Sequence, residues 1–134
     1  MNYTLPFTAI VGMDLVKRSL LYHAIDPRLG GLLLMGHRGC AKSTLARAFH
    51  EILPAPETTE KPPFVEVPLG TSEDRLLGSI DASRLLENGE WSAQTGLIQQ
   101  ANGGVLYIDE VNLLPDHLVD SILDSAASGQ HRIE

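Results

Sequence analysis

The feature that most constrains this chain is an apolar run that leads through a glycine-bearing loop into a helix opening with Lys-Ser. Residues 32–35, three leucines and a methionine, are few enough for a strand buried on both faces. Residues 36–43 form the loop, and apolar residues recur at helical spacing from Thr44 to Leu53. A strand, a glycine-bearing loop and a helix in this order are the context of a phosphate-binding loop. The pattern therefore predicts a nucleotide site.

Backbone N–H groups of such a loop, with the N-terminus of the following helix, form a concave anion site. Lys42 is placed to reach the β- and γ-phosphates, and the Ser43 hydroxyl to help hold Mg²⁺. The nucleotide ligands predicted here are Gly36, His37, Arg38, Gly39, Cys40, Ala41, Lys42, Ser43 and Thr44.

One residue departs from the usual pattern of a phosphate loop. Ala41 stands where the strict form G-x-x-x-x-G-K-[ST] has glycine. Its methyl group crowds the loop only if the backbone needs a positive φ there, and Gly39 still supplies a permissive position nearby. The alternative is an ordinary strand-to-helix turn in which the glycines only permit tight packing.

Composition limits the classes of protein to which the chain can belong. Its 134 residues, 43% of them hydrophobic, suffice for the core of one domain. Seventeen acidic against ten basic residues argue against a dedicated nucleic-acid surface. The single cysteine excludes an internal disulfide. The sequence has no run long enough for a membrane span and no signal-peptide pattern, so we predict a cytoplasmic protein.

A second apolar run ends in two carboxylates. The apolar run from Val105 to Ile108 predicts a strand, and Asp109 and Glu110 follow it directly. Asp109 is placed to hold Mg²⁺ beside Ser43, and Glu110 to orient or deprotonate an attacking water. Ligands gather outside the carboxyl ends of strands in open α/β sheets, where both motifs fall. The alternative is an exposed acidic pair at the end of a strand.

The other elements follow from periodicity and from turn residues. Between residues 79 and 96 two interpretations stand: a hairpin turning at Asn88-Gly89, or a short helix from Asp81 through Leu86. The absence of β-branched residues there favours the helix. Elsewhere the sequence predicts helices at 14–25, 72–80, 95–101 and from Pro115 to a stop at Gly129, and a strand at 64–67.

Three stretches of the chain carry a resemblance to a known family. Residues 69–76, 78–81 and, above all, 102–114 resemble the ATPase (I) subunit of magnesium chelatase. The likeness extends over nearly the whole chain, including residues 7–12 and 26–31.

The resemblance implies an AAA+ ATPase of the helix-2-insert group, with an α/β fold: a P-loop NTPase αβα sandwich with a mainly parallel sheet. It implies ATP and Mg²⁺ as cofactors, and a ring, usually a hexamer, that works with other chelatase subunits. ATP hydrolysis then drives insertion of a metal into a tetrapyrrole. It also implies that Ile10, Val11 and Gly12 lie near the adenine and that residues 79–96 are the helix-2 insert.

Two departures keep alternatives open. Chelatase subunits usually have glycine where Ala41 stands, and the loop between Leu53 and Phe64 is short for a photosynthetic chelatase. Ala-Lys-Ser is more similar to MoxR-type ATPases. The alternatives are a chelatase for another metal, a MoxR-like remodelling chaperone, and a hydrolysis-dead module that binds nucleotide and assembles rings.

The family core has five parallel strands in the order 5-1-4-3-2, of which this sequence supplies three. Residues 1–134 are therefore expected to be the N-terminal part of a C-terminally truncated nucleotide-binding domain, without sensor strands, arginine finger or helical lid. Strands 1 and 3 are expected to pair directly or to accept a strand from another chain. Hydrolysis by this chain alone is expected to be near zero.

Overall fold

The computed structural model describes residues 4–37, 39–55, 61–80, 86–87, 89 and 92–128. Its centre is a parallel pair of strands, β1 (Phe64–Val67) and β4 (Val105–Ile108), in register from Phe64 opposite Val105 to Val67 opposite Ile108. Both strands lie where the sequence predicts them. Their adjacency agrees with the expected neighbourhood of strands 2 and 3 in the family order.

Two long helices cover one face of this sheet. Helix α1 (Asp14–Ile25) and helix α2 (Lys42–Glu51) enclose a core of Leu20, Leu45, Ala48 and Phe49, against which Val105 packs. The periodicity predicts α1 at its observed bounds. Helix α2 begins at Lys42, as the Lys-Ser opening predicts, and ends two residues before Leu53.

Three helices cover the other face: α3 (Glu73–Leu77), α4 (Leu97–Gln100) and α5 (Asp116–Ser128). Successive strand residues point to opposite faces, so Val65, Val67, Leu106 and Ile108 face this second layer. There they pack with a cluster whose buried members include Leu76, Leu97 and Leu118. Helices on both faces of a parallel sheet confirm the predicted αβα class.

A short antiparallel hairpin interrupts the second layer and corrects two predicted helices. Strand β2 (Gly78–Ile80) pairs with β3 (Ala93–Thr95), so the helix predicted at 72–80 ends at Leu77 and that predicted at 95–101 begins at Leu97. The cause is at Gly78, whose φ of 99° takes the chain out of the helix. Of the helix predicted from Asp81, residues 81–85 lie outside the described residues; Leu86 and Glu87 are helical.

The strand predicted at residues 32–35 is wrong for this structure. The segment has no strand assignment, and Leu33 and Met35 are 68% and 89% exposed. Of the two arrangements expected for this segment and β4, direct pairing is wrong, because β4 pairs with β1 alone among the described residues. A strand supplied by another chain stays a prediction. A strand needs a hydrogen-bonded neighbour as well as apolar side chains.

The predicted stop of the last helix at Gly129 lies outside the described residues. Within the described part of the chain, no helix combines the length and the apolar character needed to cross a bilayer.

Candidate nucleotide site

The loop before α2 has the backbone conformation of an anion cradle. Gly39 has φ of 82°, and Ala41, the N-cap residue of α2, is left-handed at φ 55° and ψ 24°. The Cys40 N–H donates to the His37 carbonyl across the turn, at 3.4 Å. A left-handed residue followed by a right-handed one turns successive N–H groups toward one point, which is the geometry of a nest.

The backbone conformation at Ala41 decides whether the alanine methyl group crowds the loop. The loop does need a positive φ there, so the methyl group sits in a conformation that costs an L-residue about 1 kcal/mol. Tolerated strain of this kind collects at ligand sites. The alanine is therefore compatible with the loop, but it is more strained there than glycine.

Lys42 is held over the loop by two backbone carbonyls. Its ammonium group donates to the carbonyl of Gly36 at 2.8 Å and to that of His37 at 2.9 Å. An ammonium has three donors, so one N–H remains after these two bonds. The loop thus fixes a positive charge with one donor in reserve at the point where a phosphate would lie.

The N-terminus of α2 adds further donors. No side chain caps this ten-residue helix at Ala41. The first N–H groups of a helix have no intrahelical acceptor, and they carry the positive end of the helix dipole. Together with Lys42 they fit a phosphate chemically.

The acidic half of the site follows β4. Asp109 is exposed, and Glu110 is half-buried with a left-handed backbone at φ 51° and ψ 53°. A single-turn 3-10 helix, Val111–Leu113, begins immediately afterwards. No set of three His, Cys, Asp or Glu side chains in the described residues comes together as a complete metal site. Mg²⁺ would therefore need phosphate oxygens in addition to these side chains, as is usual for this ion.

One cavity joins the two halves. It has a volume of about 2440 Å³ and contains the phosphate loop, Asp109 and Glu110. Residues 32–35 form one of its walls and β4 another, so the cavity extends into the space between these two segments. The structure thus brings together Gly36, the residues predicted from Gly39 to Thr44 and the acidic pair. His37 does not line the cavity, although its carbonyl accepts from Lys42, and Arg38 lies outside the described residues.

The segment predicted to lie near the adenine does not line this cavity. Ile10 is buried in the α1–α2 core, and its carbonyl accepts a hydrogen bond from the Lys17 ammonium. Val11 is 95% exposed, and Gly12 has φ of 76°. Ile10, Val11 and Gly12 are not among the residues that line the cavity. Their role remains a prediction.

Sequence reasoning missed one residue at this site, Tyr107. Its side chain lines the cavity and stacks on Phe64, and burial, with Asp109 and then Glu66 nearby, raises the pKa of the phenol above its usual value. The sequence did contain a signal for Tyr107. It precedes Asp109 by two residues, so both side chains project from the same face of β4.

Known proteins share both the sequence and the fold. The model of the AAA domain family (dynein-related subfamily) matches residues 31–128. The magnesium-chelatase subunit ChlI of Olisthodiscus luteus is 44% identical over 148 residues, covering 96% of this chain and 44% of the relative. An uncharacterized protein of Mycobacterium tuberculosis is 47% identical over 96% of this chain and 20% of its own length.

A solved structure agrees with these similarities. It is described as a complex between subunits BchI and BchD of magnesium chelatase, based on a cryo-EM reconstruction. Its matching chain superposes with a TM-score of 0.82 at 40% identity, covering 93% of this chain and 47% of that one. The chain therefore spans about half the length of the chelatase relatives that it matches. With a phosphate loop, an acidic strand end and a family match over most of its length, the chain belongs to the AAA domain family.

Proposed function

We propose that this chain binds ATP with Mg²⁺, and that the protein is the ATP-hydrolysing motor subunit of a magnesium chelatase. Its hydrolysis cycle would drive insertion of the substrate metal into a tetrapyrrole held by partner subunits. The observation that carries the proposal is the Lys42 ammonium, held by the Gly36 and His37 carbonyls in the cavity that also contains Asp109 and Glu110.

Each residue of the site has a role in this proposal. The loop N–H groups and Lys42 bind the β- and γ-phosphates, and Ser43 and Asp109 hold the metal ion. Bound Mg²⁺ supplies charge neutralisation at those phosphates. Glu110 accepts a proton from the water that attacks the γ-phosphate. The exposed backbone around Val11 contacts the adenine.

The chelatase assignment draws on the relatives. Two of them carry the name of a magnesium-chelatase subunit and cover nearly all of this chain at 44% identity. The solved neighbour is a complex of two chelatase subunits. We propose accordingly that this protein assembles as a ring, with residues 79–96 as its helix-2 insert, and that it works in the cytoplasm with other chelatase subunits.

Calorimetry on the 134-residue chain tests the nucleotide site. Lys42→Ala removes the cation that neutralises phosphate charge, so we expect ATP affinity to fall about a hundredfold or more. Lys61→Ala is the matched control, because Lys61 is an exposed lysine that pairs with Glu51 away from the loop. Equal losses in both variants, or no magnesium-dependent heat with the unaltered chain, would contradict the proposal.

A second experiment separates binding from catalysis. Glu110→Gln keeps the shape of the side chain but removes the base, so we expect ATP affinity to stay within a fewfold and turnover to fall about a hundredfold. Turnover and metal insertion are measured in the full-length protein with its partner subunits, beside turnover by this chain alone, which we expect to be slow. Metal insertion that proceeds without ATP would contradict the motor function.

A further inference from the structure

Helix α1 is apolar on two opposite faces. Its inner face packs Leu20, Val16 and Ala24 into the core shared with α2. Its outer face carries Leu15 and Ile25, which are 77% and 81% exposed. A surface helix of a globular protein usually turns charged and polar residues outward. The outer face of α1 therefore has the composition of a surface that packs against another molecule.

The outward residues form one narrow stripe along the helix, repeating at intervals of three, four and three positions. The members of this α1 stripe, all exposed, are Leu15, Arg18, Tyr22 and Ile25. At 3.6 residues per turn they fall within an arc of about 80°. The spacing is that of the a and d positions through which paired helices contact each other. The stripe thus has the pattern of a helix–helix contact.

Exposed apolar surface continues beside the stripe. Leu21, also on α1, and Ile52, just after α2, are both exposed. Together they line one pocket of about 700 Å³. Apolar side chains scattered singly over a surface are ordinary, whereas a connected group of them marks an interaction site. The outer side of α1 is such a connected group.

The order of residues in the stripe identifies a second copy of this chain as the partner. In a two-fold symmetric pair of antiparallel helices, each residue faces the one equally far from the axis on the other copy. With the axis level with position 20, Leu15 lies opposite Ile25, since each is five positions from it. Arg18 and Tyr22, each two positions away, also lie opposite one another. The α1 stripe is therefore complementary to itself.

Both kinds of pair are favourable. At each end, Leu15 and Ile25 remove apolar surface from water. In the middle, the guanidinium of Arg18 meets the ring of Tyr22, and an aromatic face attracts a cation. A parallel pairing in register would instead bring Arg18 against Arg18, and like charges repel. The sequence of the stripe thus favours the antiparallel arrangement.

The charges at the ends of α1 permit this pairing. Asp14 comes level with Asp26 of the second copy, since each is six positions from the axis. The Asp26 carboxylate already accepts from the Arg28 guanidinium at 2.8 and 3.0 Å. Asp14 therefore meets a neutralised ion pair and not a free carboxylate.

We propose that two copies of this chain associate through the α1 stripe as an antiparallel, two-fold symmetric pair of helices. The inference goes beyond the proposed function and does not depend on the nucleotide site. Helix α1 has 12 residues and is about 18 Å long, so the contact is small. We expect a weak dimer, with a Kd on the order of 10 to 100 µM.

Sedimentation equilibrium without nucleotide, over concentrations that bracket this Kd, tests the association. Leu15→Glu keeps the helix, because an acidic residue suits its first turn, but it sets a charge against Ile25. We expect this variant to raise the Kd about tenfold or more. Leu33→Glu is the matched control: Leu33 is an equally exposed leucine in the unpaired segment, and we expect a change of less than about twofold.

Two outcomes of this experiment overturn the inference: a monomer at every concentration, and equal weakening by Leu15→Glu and Leu33→Glu. Lys42→Ala separates the inference from the proposed function. This variant should dimerise like the unaltered chain, whatever becomes of its ATP binding.

Cysteine cross-linking tests the register, in a Cys40→Ser background that removes the native free thiol. A mixture of Leu15→Cys and Ile25→Cys chains should form a covalent dimer, because these positions face each other. Neither variant alone should do so, because identical positions lie ten residues, or about 15 Å, apart along antiparallel helices. No cross-link in the mixture, or cross-linking of Leu15→Cys to itself, overturns the proposed arrangement.

Discussion

Two apolar runs of four residues each lead into one half of the site, but only one of them forms a strand. The two runs are residues 32–35 and Val105–Ile108. Val105–Ile108 pairs with β1 and is half-buried along its length. Residues 32–35 have no strand assignment, and Leu33 and Met35 are largely exposed. The difference teaches that an apolar run becomes a strand only where another strand satisfies its backbone.

The two halves keep their shape by different means. The acidic half stands on a strand fixed by its neighbour. The phosphate loop follows an unpaired segment and is held instead by the Lys42 bonds to Gly36 and His37 and by the start of α2. Matched substitutions, one in each half of the site, therefore test whether the two halves are held in different ways.

The largest expected effect is at the glycine that precedes the paired strand. A Cβ at Gly104 would lie 2.0 Å from the carbonyl oxygen of Pro63, so Gly104→Ala must displace the start of β1 or of β4. We expect the free energy of unfolding to fall by about 3 kcal/mol. Urea denaturation followed by circular dichroism measures it.

Gly31→Ala is the matched control for this variant. Gly31 precedes the unpaired segment, and nothing lies within 4 Å of a Cβ placed there. We expect the free energy of unfolding to change by less than about 0.5 kcal/mol in this variant. Equal losses of unfolding free energy in Gly104→Ala and Gly31→Ala would contradict the difference in packing between the two segments.

The next effect compares side chains in the two apolar runs. Leu106 packs into the second core, so Leu106→Ala should lower the free energy of unfolding by about 2 kcal/mol. Leu33 is 68% exposed, and Leu33→Ala should change it by less than about 0.5 kcal/mol. Thermal and urea unfolding of both variants measure the difference; a larger loss at Leu33 would mean that residues 32–35 are buried in solution.

The smallest effect concerns strain in the phosphate loop. Ala41→Gly relieves a left-handed alanine, and after the added entropy of the unfolded chain we expect a gain of about 0.5 kcal/mol in unfolding free energy. The same substitution at buried Ala48 in α2 should lower it by about 1 kcal/mol, because glycine weakens a helix interior. A loss of stability in Ala41→Gly would mean that the loop does not need the positive φ.

Much of the site could be predicted because its signals are local. The Lys-Ser opening of α2 and the acidic pair after an apolar run each depend on adjacent residues, and the structure places both in one cavity. Tyr107 was missed because its surroundings depend on β1: its ring stacks on Phe64 and it lies opposite Glu66, residues far earlier in the chain. The pairing of β2 with β3 was not favoured, for a similar reason: a hairpin between residues 79 and 96 was one of two interpretations, and the short helix was preferred. Gly78 and Gly96 are distant in sequence, and the backbones meet so closely that a Cβ on Gly78 would lie 3.0 Å from the Gly96 nitrogen.

The resemblance to a known family implied the αβα class. Sequence by itself determined the bounds of α1, β1 and β4 and the two motifs of the site, because periodicity, turn residues and short-range spacing depend only on residues that are close together in the chain. Only the tertiary structure decided that residues 32–35 stay unpaired, that Ala41 is left-handed and that Tyr107 stacks on Phe64. Each of these depends on which backbone or side chain comes to lie alongside, and packing between distant segments fixes that.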